Sequence, residues 1–285
     1  MSTSLIEIVL FENNNKRFFA KLENENKTGS FKDRLINYTL DRLLEHQTIN
    51  SETTIVEASS GNTGIAIAQA CKDRNLKAVI CMANHISLEK KQRIVSLGAE
   101  LKEFDVSENK QAEIEAAIEL GKKEKFFHFD QFANQEHINA YKQTLAKEVI
   151  EQLQDKNLRI DFLVAGIGSG ASLRGLGEEL KERYNPNLEI IGISPTVYPT
   201  KIEGINPSKI KGDFPIWENR LKNFETDRLF IADDDAINGA KELKKEHNIF
   251  VGPCSGAVYF AALNLLVKPG NYLLLFSDSG DRYVW

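Results

Sequence analysis

Four short stretches of this 285-residue chain concentrate the residue types that do chemistry. Ala165-Gly166-Ile167-Gly168-Ser169-Gly170-Ala171-Ser172 lies between an apolar run (162–165) and a helical pattern (173–183). Small residues in succession leave backbone N–H groups uncovered, and a helix N-terminus adds partial positive charge, so a phosphate suits this loop. Ser169 and Ser172 add hydroxyl donors. A tight strand-to-helix turn that needs glycine for packing explains the same residues equally well. Gly166, Gly168 and Ala171 also meet a relaxed dinucleotide spacing, but the next apolar run ends Ile191-Gly192-Ile193-Ser194 with no acid for a ribose hydroxyl, which weakens that reading.

Glu57-Ala58-Ser59-Ser60-Gly61-Asn62-Thr63-Gly64 gathers neutral donors around two glycines before an apolar helical pattern (65–71). Such a cluster suits a carboxylate or another small anion, although an elaborate N-cap is the plainer reading of these residues alone. In Lys27-Thr28-Gly29-Ser30-Phe31-Lys32-Asp33-Arg34, spacing alone assigns Lys32 no role. A lysine that enters a low-dielectric pocket, however, loses its proton readily and becomes a Schiff-base nucleophile. Val251-Gly252-Pro253-Cys254-Ser255-Gly256-Ala257 reads as a turn into an apolar helix with a buried, inert thiol.

The elements that must position these stretches alternate. Apolar or β-branched runs at 54–56, 78–82, 162–165, 188–193 and 272–276 are interleaved with helical patterns, which is the rhythm of βαβ units. Ile36, Leu40, Leu43 and Leu44 mark one helix face over about 32–46. Ser87 as N-cap and Gly98 as stop bracket another helix over 87–97. Continuous apolar strands such as 162–165 belong to parallel sheets covered on both faces, so the fold class is α/β, with ligands expected at the carboxyl ends of the strands.

Composition bounds the rest. With 42% hydrophobic and 27% charged residues the chain is globular rather than disordered. A net charge of −5 provides no positive field for nucleic acid. No apolar run approaches the roughly 20 residues that cross a bilayer. The N-terminus lacks the basic-then-apolar pattern of a signal peptide, so a cytoplasmic protein is expected. Three cysteines and five histidines, without paired spacing, argue against a disulfide framework or a metal site.

Taken in order, these stretches resemble the fold-type II pyridoxal-phosphate (PLP) enzymes, in particular the cysteine synthase and cystathionine β-synthase family. Lys21-Leu22-Glu23 followed by residues 29–34 is similar to the segment carrying that family's Schiff-base lysine, which maps onto Lys32. Ser60-Gly61-Asn62-Thr63-Gly64 is similar to the loop that grips the substrate carboxylate, with Asn62 at the position that bonds the cofactor's phenolic oxygen. Ser87 to Lys91, the exit Leu97-Gly98-Ala99-Glu100, the pair Gln131-Phe132 and the strings Lys201 to Ile205, 251–257 and 278–283 extend the likeness over nearly the whole chain.

The resemblance implies a tryptophan synthase β-like fold of two three-layer α/β domains with PLP in the cleft between them. A larger PLP-binding domain would comprise residues 1–35 and 136–285, and a smaller, mobile, substrate-gripping domain residues 36–135. Lys32 would be the catalytic residue and form the Schiff base. Asn62, Gly168, Ser169, Gly170, Ala171, Ser172 and Cys254 would complete the cofactor site, and Ser59, Ser60, Gly61, Thr63 and Gln131 would bind substrate. The implied reaction is β-replacement on an O-activated L-serine through an aminoacrylate, above all O-acetylserine and sulfide to cysteine and acetate, in a homodimer with only small-molecule partners. Three departures matter: Cys254 stands where serine commonly faces the pyridine nitrogen, Thr144-Leu145-Ala146-Lys147-Glu148 replaces a Thr-Thr-Gly-Pro-Glu stretch, and the Gly-x-Thr-Pro-Leu segment is missing. They keep open β-elimination from cysteine or serine, or synthesis of another β-substituted alanine such as diaminopropionate. A non-catalytic binding relative is the remaining reading, and the retained Lys32 argues against it.

Overall fold

All five residues of Thr54–Ala58 are buried, as a parallel strand covered on both faces requires, and this strand lies inside one of two sheets. The computed structural model describes residues 2–283 except 11–14, 60, 110, 132, 133, 135, 198, 206–220 and 222. In chain order the described elements are β1 (Leu5–Ile8), β2 (Lys16–Leu22), α1 (Lys32–Glu45), β3 (Thr54–Ala58), α2 (Asn62–Asp73), β4 (Lys77–Ala83), α3 (Leu88–Ser96), β5 (Glu100–Phe104), α4 (Ala112–Gly121) and β6 (Phe126–His128). There follow α5 (Glu136–Tyr141), α6 (Lys147–Asp155), β7 (Phe162–Gly166), α7 (Ala171–Arg183), β8 (Glu189–Pro195), β9 (Asp227–Ile231), α8 (Asp233–His247), α9 (Pro253–Asn264) and β10 (Gly270–Phe276). The chain divides into two compact units, Met1–Phe31 with His137–Trp285, and Lys32–Glu136.

The larger unit holds a six-stranded sheet in the order β1-β2-β10-β7-β8-β9. Only its β1–β2 pair is antiparallel. Register sets Tyr272 of β10 between Phe18 of β2 and Phe162 of β7. The Tyr272 ring stacks on Phe162 at 4.4 Å between centroids and meets Phe18 at 5.5 Å. Each such side chain contributes about 1.5–3 kcal/mol by leaving water, so the three rings make the centre of this sheet a firm support for the loops at its ends. The string Lys21-Leu22-Glu23 is structural: buried Lys21 Nζ donates to Thr3 O at 2.6 Å and Gln152 Oε1 at 2.9 Å and pairs with Glu148. Glu23 Oε1 accepts the Thr3 hydroxyl at 2.6 Å.

The smaller unit holds a parallel sheet ordered β5-β4-β3-β6. Helix α1 buries Leu35, Ile36, Thr39 and Leu40; of the face that periodicity predicts, Ile36 and Leu40 are buried while Leu43 and Leu44, nearer the end of the helix, are half-buried. Helix α3 is one residue shorter at each end than expected. Ser87 stands at its N-cap without a side-chain cap bond, and Gly98, at φ +91°, ends the turn. The strands that the sequence left unread are mostly edges. β5, β6 and β9 are partly exposed border strands with charged or half-buried positions, so they show no continuous apolar run. Among the described residues no helix is long and apolar enough to cross a membrane.

Candidate active site

Strand order determines where ligands can be held in each sheet. In the larger unit the chain runs outward from β7 to β8 and β9, and β10 then returns to the other side of β7. The order thus reverses between β7 and β10, and a crevice opens at their carboxyl ends. In the smaller unit β4 and β5 lie to one side of β3 and β6 to the other, so the reversal falls between β3 and β6. The chemical stretches of the sequence occupy the loops at these two points.

In the larger unit the β7–α7 loop begins by prolonging the ladder, with Ile167 N–H donating to Ile193 O at 2.8 Å. Gly168 follows, and a Cβ there would stand 2.4 Å from Gly204 O, a backbone atom that cannot swing away. Gly170, the N-cap of α7, adopts φ +79°. The helix then starts at Ala171 and Ser172, both buried. Its first internal bond is Arg174 N–H to Gly170 O at 3.0 Å, so the N–H groups of residues 171–173 have no carbonyl one turn earlier. Helix start, adjacent glycines and the hydroxyls of Ser169 and Ser172 fit a phosphate-bearing ligand. The segment bearing Gly204 is itself anchored. Asp233, first residue of α8, accepts Thr200 Oγ1 at 2.5 Å and Lys201 N–H at 2.9 Å. Cys254, second residue of α9, brings its Sγ within 2.5 Å of where a Gly166 Cβ would be, at the carboxyl end of β7.

Around the end of β10, three stretches meet that are distant in sequence. Phe31 N–H donates to Ser277 O at 2.9 Å, and Ser279 N–H to Gly29 O at 3.0 Å. Gly252 N–H donates to Asp278 O at 3.1 Å, and Ser277 N–H to Ser255 Oγ at 3.0 Å. Asp278 also accepts the Tyr283 hydroxyl at 2.5 Å; burial and this carboxylate push the phenol well above its ordinary range. Lys32, the residue after Phe31, opens α1 and is half-buried.

The smaller unit brings Ser59, Gly61, Thr63 and Gln131 together. Ser59 Oγ accepts Gly61 N–H at 3.2 Å and Gly64 N–H at 2.8 Å, capping α2 from within its own loop. The Thr63 hydroxyl donates to Gln131 Oε1 at 2.7 Å, and Gln131 Nε2 donates to Ala58 O at 3.0 Å. Asn62 opens α2; Ser60, also expected to bind substrate, lies outside the described residues.

Sequence reading passed over Glu57, which ties this cluster to β3. Its Oε1 accepts Ala58 N–H at 2.9 Å and its Oε2 accepts Gln131 N–H at 3.0 Å. Burial pushes the carboxyl from the ordinary 4.5 up to about 8, against the two N–H bonds, which pull it down. A lone acid in an otherwise apolar strand run was the available signal. A carboxyl with its folded pKa raised holds its proton in the folded chain where the unfolded chain has lost it. Its effect on stability is therefore unfavourable and grows as pH rises from about 4.5 to about 8. The Glu57→Gln variant should lose less of its thermal midpoint than the parent between pH 5.5 and pH 8; equal losses would show that Glu57 is not the titrating group.

A family model described as pyridoxal-phosphate dependent enzyme matches residues 2–278. The chain is 34% identical over 279 residues to a cysteine synthase of Helicobacter pylori, covering 93% of this chain and 88% of that one. It is 35% identical over 272 residues to cysteine synthase B of Campylobacter jejuni, covering 93% and 89%. Among solved structures, an O-acetylserine-dependent cystathionine β-synthase from Helicobacter pylori superimposes with a TM-score of 0.87 at 31% identity, covering 99% of this chain and 94% of that one. A hydrogen sulfide-producing enzyme from Fusobacterium nucleatum superimposes with a TM-score of 0.88 at 31% identity, covering 99% and 95%.

Proposed function

The chain belongs to the pyridoxal-phosphate-dependent enzymes, and from that premise we propose that it performs β-replacement on an O-activated L-serine, converting O-acetyl-L-serine and sulfide to L-cysteine and acetate. One observation carries this reading: a chain 34–35% identical to cysteine synthases keeps both a close-packed glycine loop leading into α7 and a bonded cluster of neutral donors after β3. Bound PLP supplies an electron sink for the charge that develops at the substrate α-carbon. Lys32 Nζ would hold the cofactor covalently and, once released, take the proton from that carbon. Residues 168–172 would hold the phosphate and Asn62 the phenolic oxygen, while Cys254 would offer the pyridine nitrogen a thiol where serine commonly stands.

Ser59, Ser60, Gly61, Thr63 and Gln131 would hold the substrate carboxylate, which fixes the α-carbon for proton transfer and the β-carbon for loss of acetate and addition of sulfide. The same reading gives a cytoplasmic homodimer acting on small molecules without nucleic acid. Cys254 favours β-elimination as the second reading, because a thiol at this position is also found in serine and threonine dehydratases of the family. Purified holoenzyme supplied with O-acetyl-L-serine and sulfide should form cysteine and acetate in equal amounts, and pyruvate only slowly when sulfide is withheld. Pyruvate and ammonia at full rate without sulfide would establish elimination instead, and no turnover of any activated serine, of serine or of cysteine would end both readings.

A further inference from the structure

The chain leaves β6 abruptly. Phe129 N–H still donates to Val56 O of β3 at 3.0 Å, but Asp130 then adopts φ +55°, a left-handed conformation that a residue other than glycine keeps only where its surroundings impose it. Ala58, two residues beyond Val56, turns its N–H and C=O toward the same side, and the strand pairing there has already ended at Val56–His128. Side chains supply the missing rung. Glu57 Oε1 accepts Ala58 N–H at 2.9 Å, and Gln131 Nε2 donates to Ala58 O at 3.0 Å. Glu57 Oε2 also accepts Gln131 N–H at 3.0 Å, and the Thr63 hydroxyl of α2 donates to Gln131 Oε1 at 2.7 Å. Gln131 is thus held at its backbone and at both ends of its amide, beside a strained residue. Glu57, at 2% exposure, does this from beneath, out of reach of solvent.

We propose that Glu57 is a positioning residue for the substrate α-carboxylate, acting through Gln131: its two oxygens replace the rung that β6 does not supply and so fix the Gln131 amide at the end of β3. The inference rests on reading Gln131 as a substrate-binding residue. A carboxyl suits the task because its two oxygens can each accept an N–H, whereas glutamine accepts at one end and donates at the other. Glu57→Gln therefore turns a donor toward one of the two N–H groups, and the Gln131 loop loses a bond that buried groups cannot replace with water.

The test is a double-mutant cycle on holoenzyme, titrated with L-alanine and followed by the cofactor's visible absorbance. L-Alanine has no β-leaving group, so the result does not depend on β-replacement. Glu57→Gln and Gln131→Ala should each weaken L-alanine about tenfold, and the double variant should bind it as Gln131→Ala does, within about twofold. PLP rebinding to the apoenzyme should match the parent for Glu57→Gln, which a general disruption of the fold would not allow. If the glutamine variant does not fold, Glu57→Asp, whose shorter arm cannot span both N–H groups, enters the same cycle. Additive losses in the double variant, or full L-alanine affinity in Glu57→Gln beside a weakened Gln131→Ala, overturn the proposal alone. Full affinity in Gln131→Ala overturns the substrate-binding reading of Gln131 and the proposal with it. Should the parent turn over no activated serine while the cycle holds, the β-replacement reading fails and the role of Glu57 stands.

Discussion

Replacing Lys32 by alanine should lower turnover of O-acetyl-L-serine and sulfide by at least about a thousandfold, with little change in thermal stability. The size follows from the two tasks that converge on one amine: holding the cofactor and moving the α-proton. No neighbouring residue can take over, because the backbone delivers this position specifically. Phe31 is bonded to Ser277 and Gly29 to Ser279 at the end of β10, and the next residue in the chain is Lys32. Stability should hardly change, since Lys32 is half-buried at the first residue of α1, where a cation opposes the helix dipole and alanine is a good helix former. Borohydride reduction followed by peptide mass mapping separates this role from a structural one. The parent should carry the cofactor's mass on the Lys32 peptide, and the variant on none. Turnover within tenfold of the parent, or cofactor mass on a different lysine, would remove Lys32 from the mechanism.

Gly168→Ala should cost both cofactor affinity and stability. The added methyl would stand 2.4 Å from Gly204 O, closer than real contacts allow, and neither side can yield by rotating a side chain. The 200–202 segment leading to Gly204 is fastened by Asp233 through Thr200 and Lys201, so the strain should pass into the loop that opens α7. Overpacking of this kind costs about 1–3 kcal/mol. Moving the N–H groups away from the phosphate loses charge-assisted bonds worth about 1.5–3 kcal/mol each, hence an expected rise of tenfold or more in the dissociation constant. Rebinding of PLP to apoenzyme measures the constant directly. Thermal midpoints with and without excess PLP should show that saturating cofactor restores part of the lost stability, as binding to the folded state alone demands. A lowered midpoint with unchanged PLP affinity would mean that Gly168 serves packing only.

The α/β class and its alternation were legible because helix spacing and continuous apolar runs are local properties. Helix α1, expected over 32–46, spans Lys32–Glu45, and the expected strand at 162–165 is Phe162–Gly166. Edge strands escaped notice for the reciprocal reason. Glu100–Phe104 has no fully buried residue, and a border strand needs no apolar run when one face and one edge meet water. The loops rich in glycine and hydroxyls could also be picked out as candidate anion sites, beside their plainer readings as a packing turn and an N-cap, since backbone exposure by small residues requires no knowledge of neighbours.

What the sequence could not reveal was how each residue in those loops is employed. Ser59 reads as a ligand donor, yet its oxygen takes the N–H groups of Gly61 and Gly64. Glu57 and Lys90 read as ordinary charged residues, yet they are buried beneath the loop at 2% and 7% exposure. By itself the sequence determined the elements, their class and the chemical types at their ends, because short-range sterics and periodic burial act within a few residues. Tertiary structure alone decided that β6 and β10 return beside β3 and β7 in their own sheets, and thereby which loops stand at each sheet's point of reversal and which charges lose their water. Strand order and desolvation arise from contacts between residues tens of positions apart, and local patterning carries no record of them.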